Sequence, residues 1–217
     1  MYHSKYGVIQ LQAGVLLFFS TALASFALGP VWVQQGPAPT QNAQVTIPAQ
    51  TNPVNGAIGA VLPHPTDPNI IYIGAVDGGI WKTTNGGTTW TAQTDKQTSL
   101  AITWLAFDPT DATFNTVVAG IGRNSAFTLD QEGGQLTGIL RTTNGGTAWT
   151  ALGTNDLRDR NIFGVEARGA TMIVGAQNNA RTGGTGAGVY RSTDGGNHFD
   201  LLSGNGPSGL PAGNVTS

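Results

Sequence analysis

Acid–base chemistry has few places to sit in this sequence. Asp77 stands in Val76-Asp-Gly-Gly79, and Asp130 and Glu132 lie almost side by side further on. Cleavage of a glycosidic bond needs two carboxyl groups flanking it, about 5 to 9.5 Å apart. Two acids on one short stretch flank a sugar poorly, so Asp77 is the acid best placed to be catalytic. Recognition has more material. Arg123, Asn124 and Phe127 accompany Asp130 and Glu132, and Gln177, Asn178, Asn179 and Arg181 form a second polar cluster. Such residues offer donors, acceptors and a stacking surface to a hydroxyl-rich ligand. A solvated loop touching only water is the competing reading of both clusters.

Other chemistry is poorly supported. His3, His64 and His198 fall in unrelated settings, so no pair has metal-ligand spacing, and the absence of Cys removes thiolate ligands, thiol nucleophiles and disulfides. No metal is expected. Gly183-Gly-Thr-Gly-Ala-Gly188 lacks the Lys and the following helix of a phosphate loop, and nothing else signals a cofactor.

The elements that must position these residues are written as a repeat. Gly79-Ile-Trp-Lys-Thr-Thr-Asn-Gly-Gly-Thr-Thr-Trp90 recurs as Gly138-Ile-Leu-Arg-Thr-Thr-Asn-Gly-Gly-Thr-Ala-Trp149 and as Gly188-Val-Tyr-Arg-Ser-Thr-Asp-Gly-Gly-Asn-His-Phe199. Asn-Gly or Asp-Gly followed by a second Gly supplies the positive φ angles of a tight turn, and β-forming residues flank it. The hydroxyl of Thr83, Thr142 or Ser192 and the side chain of Asn85, Asn144 or Asp194 can bond the turn backbone. Trp90, Trp149 and Phe199 are expected in the core.

Each turn is preceded by matching strands: Ile71–Ala75, Val117–Ile121 and Met172–Ala176, and before them Ala57–Leu62, Ile102–Phe107 and Ile162–Ala167. Each repeat therefore reads as four strands, at intervals of roughly 50 to 60 residues, the spacing of propeller blades. His64-Pro-Thr-Asp-Pro-Asn69 and Asp108-Pro-Thr-Asp111 read as Pro- and Asp-led turns between the first two strands. The expected fold is an all-β propeller of four-stranded blades, with about three blades present. Strand parity puts the repeated turns on one face. The connections from Gly74 to Gly79, Gly120 to Gly138 and Gly175 to Gly188 lie on the other, and the second and third are much longer than the first. Growth of loops on one face is how scaffolds acquire function.

The repeat resembles the Asp-box, or BNR, pattern S/T-x-D/N-x-G-x-x-W. Its positions fall on Thr83, Asn85, Gly87 and Trp90, on Thr142, Asn144, Gly146 and Trp149, and on Ser192, Asp194, Gly196 and Phe199. Two copies carry Asn for Asp and the third carries Phe for Trp. The resemblance extends to bacterial sortilin-like and xyloglucanase-like propellers over about residues 57–206. It implies that the boxes are structural and that binding falls on the opposite face. In xyloglucan-cleaving relatives a catalytic Asp opens D-x-G-G-x-Y-R at this strand junction. Aligning the Gly pair sets that Asp opposite Val76, one position from Asp77, and the resemblance places the second acid beyond Ser217. The Arg-Ile-Pro motif of sialidases is absent.

Composition adds bounds. Charged residues are only 10% of the chain, against about 25% in an average domain, and Gly numbers 32. The net charge of −2, with no basic cluster, argues against nucleic acid as a partner. Residues 1–24 read as a signal peptide: Lys5, an apolar Val15–Ala24 run and a small-x-small end, with cleavage after Ala24 or, alternatively, Ala27. A membrane anchor is the competing reading, but the run is shorter than the roughly 20 residues of a span. The chain is thus expected to be secreted, periplasmic or at the cell surface. Residues 25–56 read as an extended lead-in in which Trp32 could anchor a ring-closing strand. Blades are expected at 57–98, 99–158 and 159–206, with 207–217 opening a fourth. Three blades do not close a ring, so a longer chain is expected to supply the rest. The functional expectation is a module binding a glycan or an extracellular protein. The alternatives are part of a glycoside hydrolase, or an assembly scaffold.

Overall fold

The computed structural model describes residues 57–123, 134–178, 186–203, 210–211 and 213. The readings of a signal peptide and of a lead-in strand at Trp32 lie outside these residues, as does most of the stretch, 207–217, read as opening a fourth blade. Twelve strands form three antiparallel sheets among the described residues. The first holds β1 (Ile58–Pro63), β2 (Ile71–Ala75), β3 (Gly79–Thr83) and β4 (Thr91–Ala92) in that order. The second holds β5 (Ile102–Phe107), β6 (Val117–Ile121), β7 (Ile139–Thr142) and β8 (Thr150–Leu152). The third holds β9 (Arg160–Arg168), β10 (Thr171–Asn178), β11 (Gly188–Ser192) and β12 (Asp200–Leu201). β9 and β10 run longer than the sequence pattern suggests, because polar ends at Arg160–Asn161 and Gln177–Asn178 continue the ladder beyond the apolar run.

The second and third sheets each pack their first strand against the second strand of the sheet before. The strand glycines explain how. A Cβ on Gly74 would approach Ile102 Cγ2 to 2.4 Å, and one on Gly120 would approach Ile162 Cγ2 to 3.0 Å. The bare strand at these glycines leaves the next sheet's isoleucine room to seat, with no space for a side chain at Gly74 and a tight fit at Gly120. Two buried clusters result. Tyr72, Ile80, Ile102, Leu105, Val117 and Leu140 fill the first junction. Val118, Ile139, Leu157, Ile162, Val174 and Phe199 fill the second.

The repeated turns satisfy themselves. In the first, Thr83 Oγ1 accepts from the N–H groups of Asn85 (3.3 Å) and Gly87 (3.0 Å) and donates to Asn85 Oδ1 (2.9 Å), which also accepts from Thr89 N–H (2.9 Å). Thr142 with Asn144 and Ser192 with Asp194 repeat the arrangement. In all three the paired glycines adopt the left-handed conformation, as at Gly86 (φ 66°) and Gly87 (φ 92°). The N–H of His198, ahead of the Ser192 hydroxyl, holds the Asp194 carboxyl below its ordinary range.

One aromatic departs from expectation. Trp149 and Phe199 are buried, but Trp90 is only half-buried. Trp149 packs into the first junction and Phe199 into the second. Trp90 lies between β3 and β4 of the first sheet, whose other side no described residue covers.

Candidate functional site

The β2–β3, β6–β7 and β10–β11 connections leave the end of the sheets opposite the repeated turns. Here the expected site residues are partly joined. Asp77 sits in the left-handed region (φ 58°), a conformation Asp tolerates better than bulkier residues, and is exposed. Its Oδ1 accepts from the N–H of Gly134 at 3.0 Å, across the first junction. Arg123 Nε donates to the carbonyl of that same Gly134 at 3.0 Å. The two residues thus grip opposite edges of one peptide segment. Arg123 and Gly134 flank residues 124–133, so this pair of bonds staples the base of the second sheet's long connection.

Asn178 ends β10, half-buried and in register with Arg160. Asn124, Asp130, Glu132, Asn179 and Arg181 lie outside the described residues. Among the described residues no group of three or more His, Asp or Glu gathers to hold a metal.

Two residues on this rim escaped the sequence reading. Asn161 is buried, and its Oδ1 accepts from Arg123 N–H at 2.7 Å, tying the second sheet to the third. Arg160 donates through Nε to the Gly186 carbonyl (3.1 Å) and through Nη1 to the Arg158 carbonyl (2.8 Å), with its guanidinium 5.4 Å from the Tyr190 ring centre. Tyr190 also donates its hydroxyl to Gly186. A signal for Asn161 existed. The first and second sheets carry Ala57 and Ala101 at this place before the conserved-pattern isoleucine, so a polar residue there breaks the repeat.

The chemistry this rim supports is the fixing of loop bases. Asp77 Oδ1 and Arg123 Nε both bond protein backbone, and the bases of the 124–133 and 179–185 segments are each held by an arginine on the rim. No helix among the described residues is long and apolar enough to cross a membrane.

No protein-family model matches the chain, and no curated protein does. Among solved structures, an ancestral GH74 enzyme matches at 25% identity with a TM-score of 0.51, over 68% of this chain and 18% of its own. The GH74 xyloglucanase from Xanthomonas campestris matches at 22% identity with a TM-score of 0.46, over 67% of this chain and 20% of its own. YCF48 from Cyanidioschyzon merolae matches at 16% identity with a TM-score of 0.48, over 77% and 44%. The chain therefore spans only 18% to 20% of the length of these GH74 enzymes. Three successive four-stranded antiparallel sheets, with the likeness to the ancestral GH74 enzyme, establish an all-β fold of the β-propeller type.

Proposed function

We propose that this chain contributes blades to an exported propeller of the Asp-box type, related to sortilin-like and xyloglucanase-like proteins, that binds a glycan or an extracellular protein. Residues 1–24 serve as its export signal, blades fall at 57–98, 99–158 and 159–206, and further blades close the ring. The ligand meets the face opposite the repeated turns, through Arg123, Asn124, Asp130 and Glu132 on one connection and Asn178, Asn179 and Arg181 on the other. The observation that carries this reading is the stapled loop base, in which Asp77 and Arg123 hold Gly134 from two sides. A loop with a fixed base loses less freedom on binding than a loose one, which favours affinity.

Affinity electrophoresis of the full chain through gels containing xyloglucan, galactomannan or a cellulose ether tests the glycan arm. Retardation by one of them, lost in Asn124→Ala or Arg181→Ala and retained in Arg168→Ala at the other end of β9, supports the reading. Equal migration of all variants in the gel that retards the parent removes these loops as the binding surface.

The second reading, part of a glycoside hydrolase, is favoured by the likeness to the ancestral GH74 enzyme. It requires Asp77 as one of two acids. Release of reducing sugar from xyloglucan that survives Asp77→Ala would exclude Asp77 from that chemistry.

A further inference from the structure

At the turn-bearing end, the second junction carries a half-open pocket of about 210 Å³, lined by Arg141, Leu152 and Gly195 and by the exposed Asn144, Ala148 and Thr150, among others. Arg141 stands one residue before the end of β7, its side chain makes no hydrogen bond among the described residues, and its Nε is buried without a partner. A buried N–H left unpaired is costly, and guanidinium donors sit in a planar fork that matches an oxyanion.

The repeat explains why donors collect here. In the first turn Asn85 Nδ2 donates to Thr89 Oγ1 at 2.9 Å. The second turn has Ala148 at that position, so Asn144 Nδ2 makes no hydrogen bond among the described residues, although Asn144 Oδ1 is held by the N–H of Ala148. At the first junction Lys82 Nζ, the counterpart of Arg141, is engaged at 2.8 Å by the Gly145 carbonyl. The second junction thus gathers a guanidinium, a carboxamide NH2 and the Thr150 hydroxyl beside the apolar Ala148 and Leu152.

We propose that this pocket binds a small carboxylate with a short aliphatic stem, the carboxylate on Arg141 and Asn144 and the stem on Leu152 and Ala148. The net field selects a monoanion over phosphate. Asp108 lies near enough to feel the Arg141 charge without forming an ion pair, and the Asp194 carboxylate is one residue from Gly195. A dianion would meet both at once, against a single guanidinium.

Propionate, titrated into the 15N-labelled full chain and followed by NMR, tests this. Saturable shifts of the Arg141 Nε–H and the Asn144 side-chain amide are expected, with Kd on the order of 1 mM for so small a ligand. Arg141→Lys keeps the charge but loses the fork, and is expected to weaken binding roughly tenfold. Ala148→Thr restores the residue found in the first repeat, so it keeps the fold while engaging Asn144 Nδ2, and is expected to weaken binding roughly threefold or more. Inorganic phosphate at equal concentration is expected to shift these signals less. Shifts that never saturate, or binding that survives both substitutions unchanged, would overturn the site. Equal or stronger saturation by phosphate would overturn the carboxylate assignment.

Discussion

At the first junction Tyr72 and Lys82, paired across β2 and β3, both donate to the Gly145 carbonyl, at 2.9 and 2.8 Å, and the Lys82 ammonium lies 5.0 Å from the Tyr72 ring centre. At the second junction the same strand positions hold Val118 and Arg141, and neither reaches the Gly195 carbonyl. The loops at this end differ as well. His64 lies edge-on to Phe107 and Phe114 of the next sheet, with ring centres 5.5 and 5.3 Å away. Its counterpart Asp108 instead accepts from the N–H of Gly169 at 2.8 Å. Both junctions share an isoleucine seated on a glycine, so the packing of inner strands is fixed by the repeat. The outer part of each junction is not, and one became an aromatic clamp while the other became a charged pocket.

The largest test of this contrast is truncation. Tyr72→Ala removes a fully buried ring and one of the two donors to Gly145, and is expected to cost about 3 to 5 kcal/mol. Arg141→Ala at the second junction, with no hydrogen bond to lose, is expected to cost about 1 kcal/mol or less. Urea unfolding of both variants checks the pair. Equal losses would mean that the two junctions are energetically alike despite their different chemistry.

Titration separates the junctions by sign. Burial pushes the Tyr72 hydroxyl from 10.0 up to about 12. Its folded value exceeds its unfolded one, so its contribution is complete below pH 10 and disappears as pH rises through about 12. The loss amounts to about 2 to 3 kcal/mol. Burial lowers Lys82 from 10.5, so its contribution to stability instead grows with pH and is complete by 10.5. Above that value only the fall remains. Tyr72→Phe should flatten it, and an alkaline unfolding profile unchanged in that variant would separate Tyr72 from the effect.

The second junction should weaken at the acid end. Burial alone would raise Asp108, but the hydroxyl and N–H of Thr110, the N–H of Gly169 and the Arg141 charge together hold it below 3.8. With its folded value depressed, its contribution is present above pH 3.8 and is lost as pH falls through the lowered value. Asp108→Ala, which strips charge-assisted bonds from the N–H groups of exposed Thr110 and half-buried Gly169, is expected to cost about 1.5 to 3 kcal/mol at neutral pH. Asp111 confounds a simple acid scan. The Thr113 hydroxyl first, then Thr116, lowers it to about 2, so the two must be separated by comparing single variants.

Much of the architecture was legible because the turn chemistry is local. Thr83, Asn85 and the following glycines specify their own hydrogen bonds within a few residues, and three copies fix the strand count. Strand ends were less legible, since Arg160, Asn161, Gln177 and Asn178 extend a ladder through polar residues that no apolar alternation marks. On the candidate site, Asp77 and Arg123 stood out as chemistry-bearing types. Their shared partner is the backbone of Gly134, and a backbone acceptor has no residue-type signature. The pocket at Arg141 was invisible for a related reason. In sequence, Lys82 and Arg141 are interchangeable cations of one pattern, and only the neighbouring sheet decides which of them finds a carbonyl.

The smallest expected effect is the most specific. Ala148→Thr writes the first repeat's residue into the second, giving Asn144 Nδ2 the hydroxyl partner that Asn85 has in Thr89. The position is exposed, so the gain is expected to be about 0.5 kcal/mol or less, read as a small rise in Tm. Thr89→Ala in the first repeat should lose a similar amount. If the pair of substitutions moves stability in opposite directions, the turns are equivalent and the difference between junctions rests on what faces them across the gap. If Ala148→Thr is destabilising, the second turn is already shaped around its pocket, and the divergence reaches into the repeat itself.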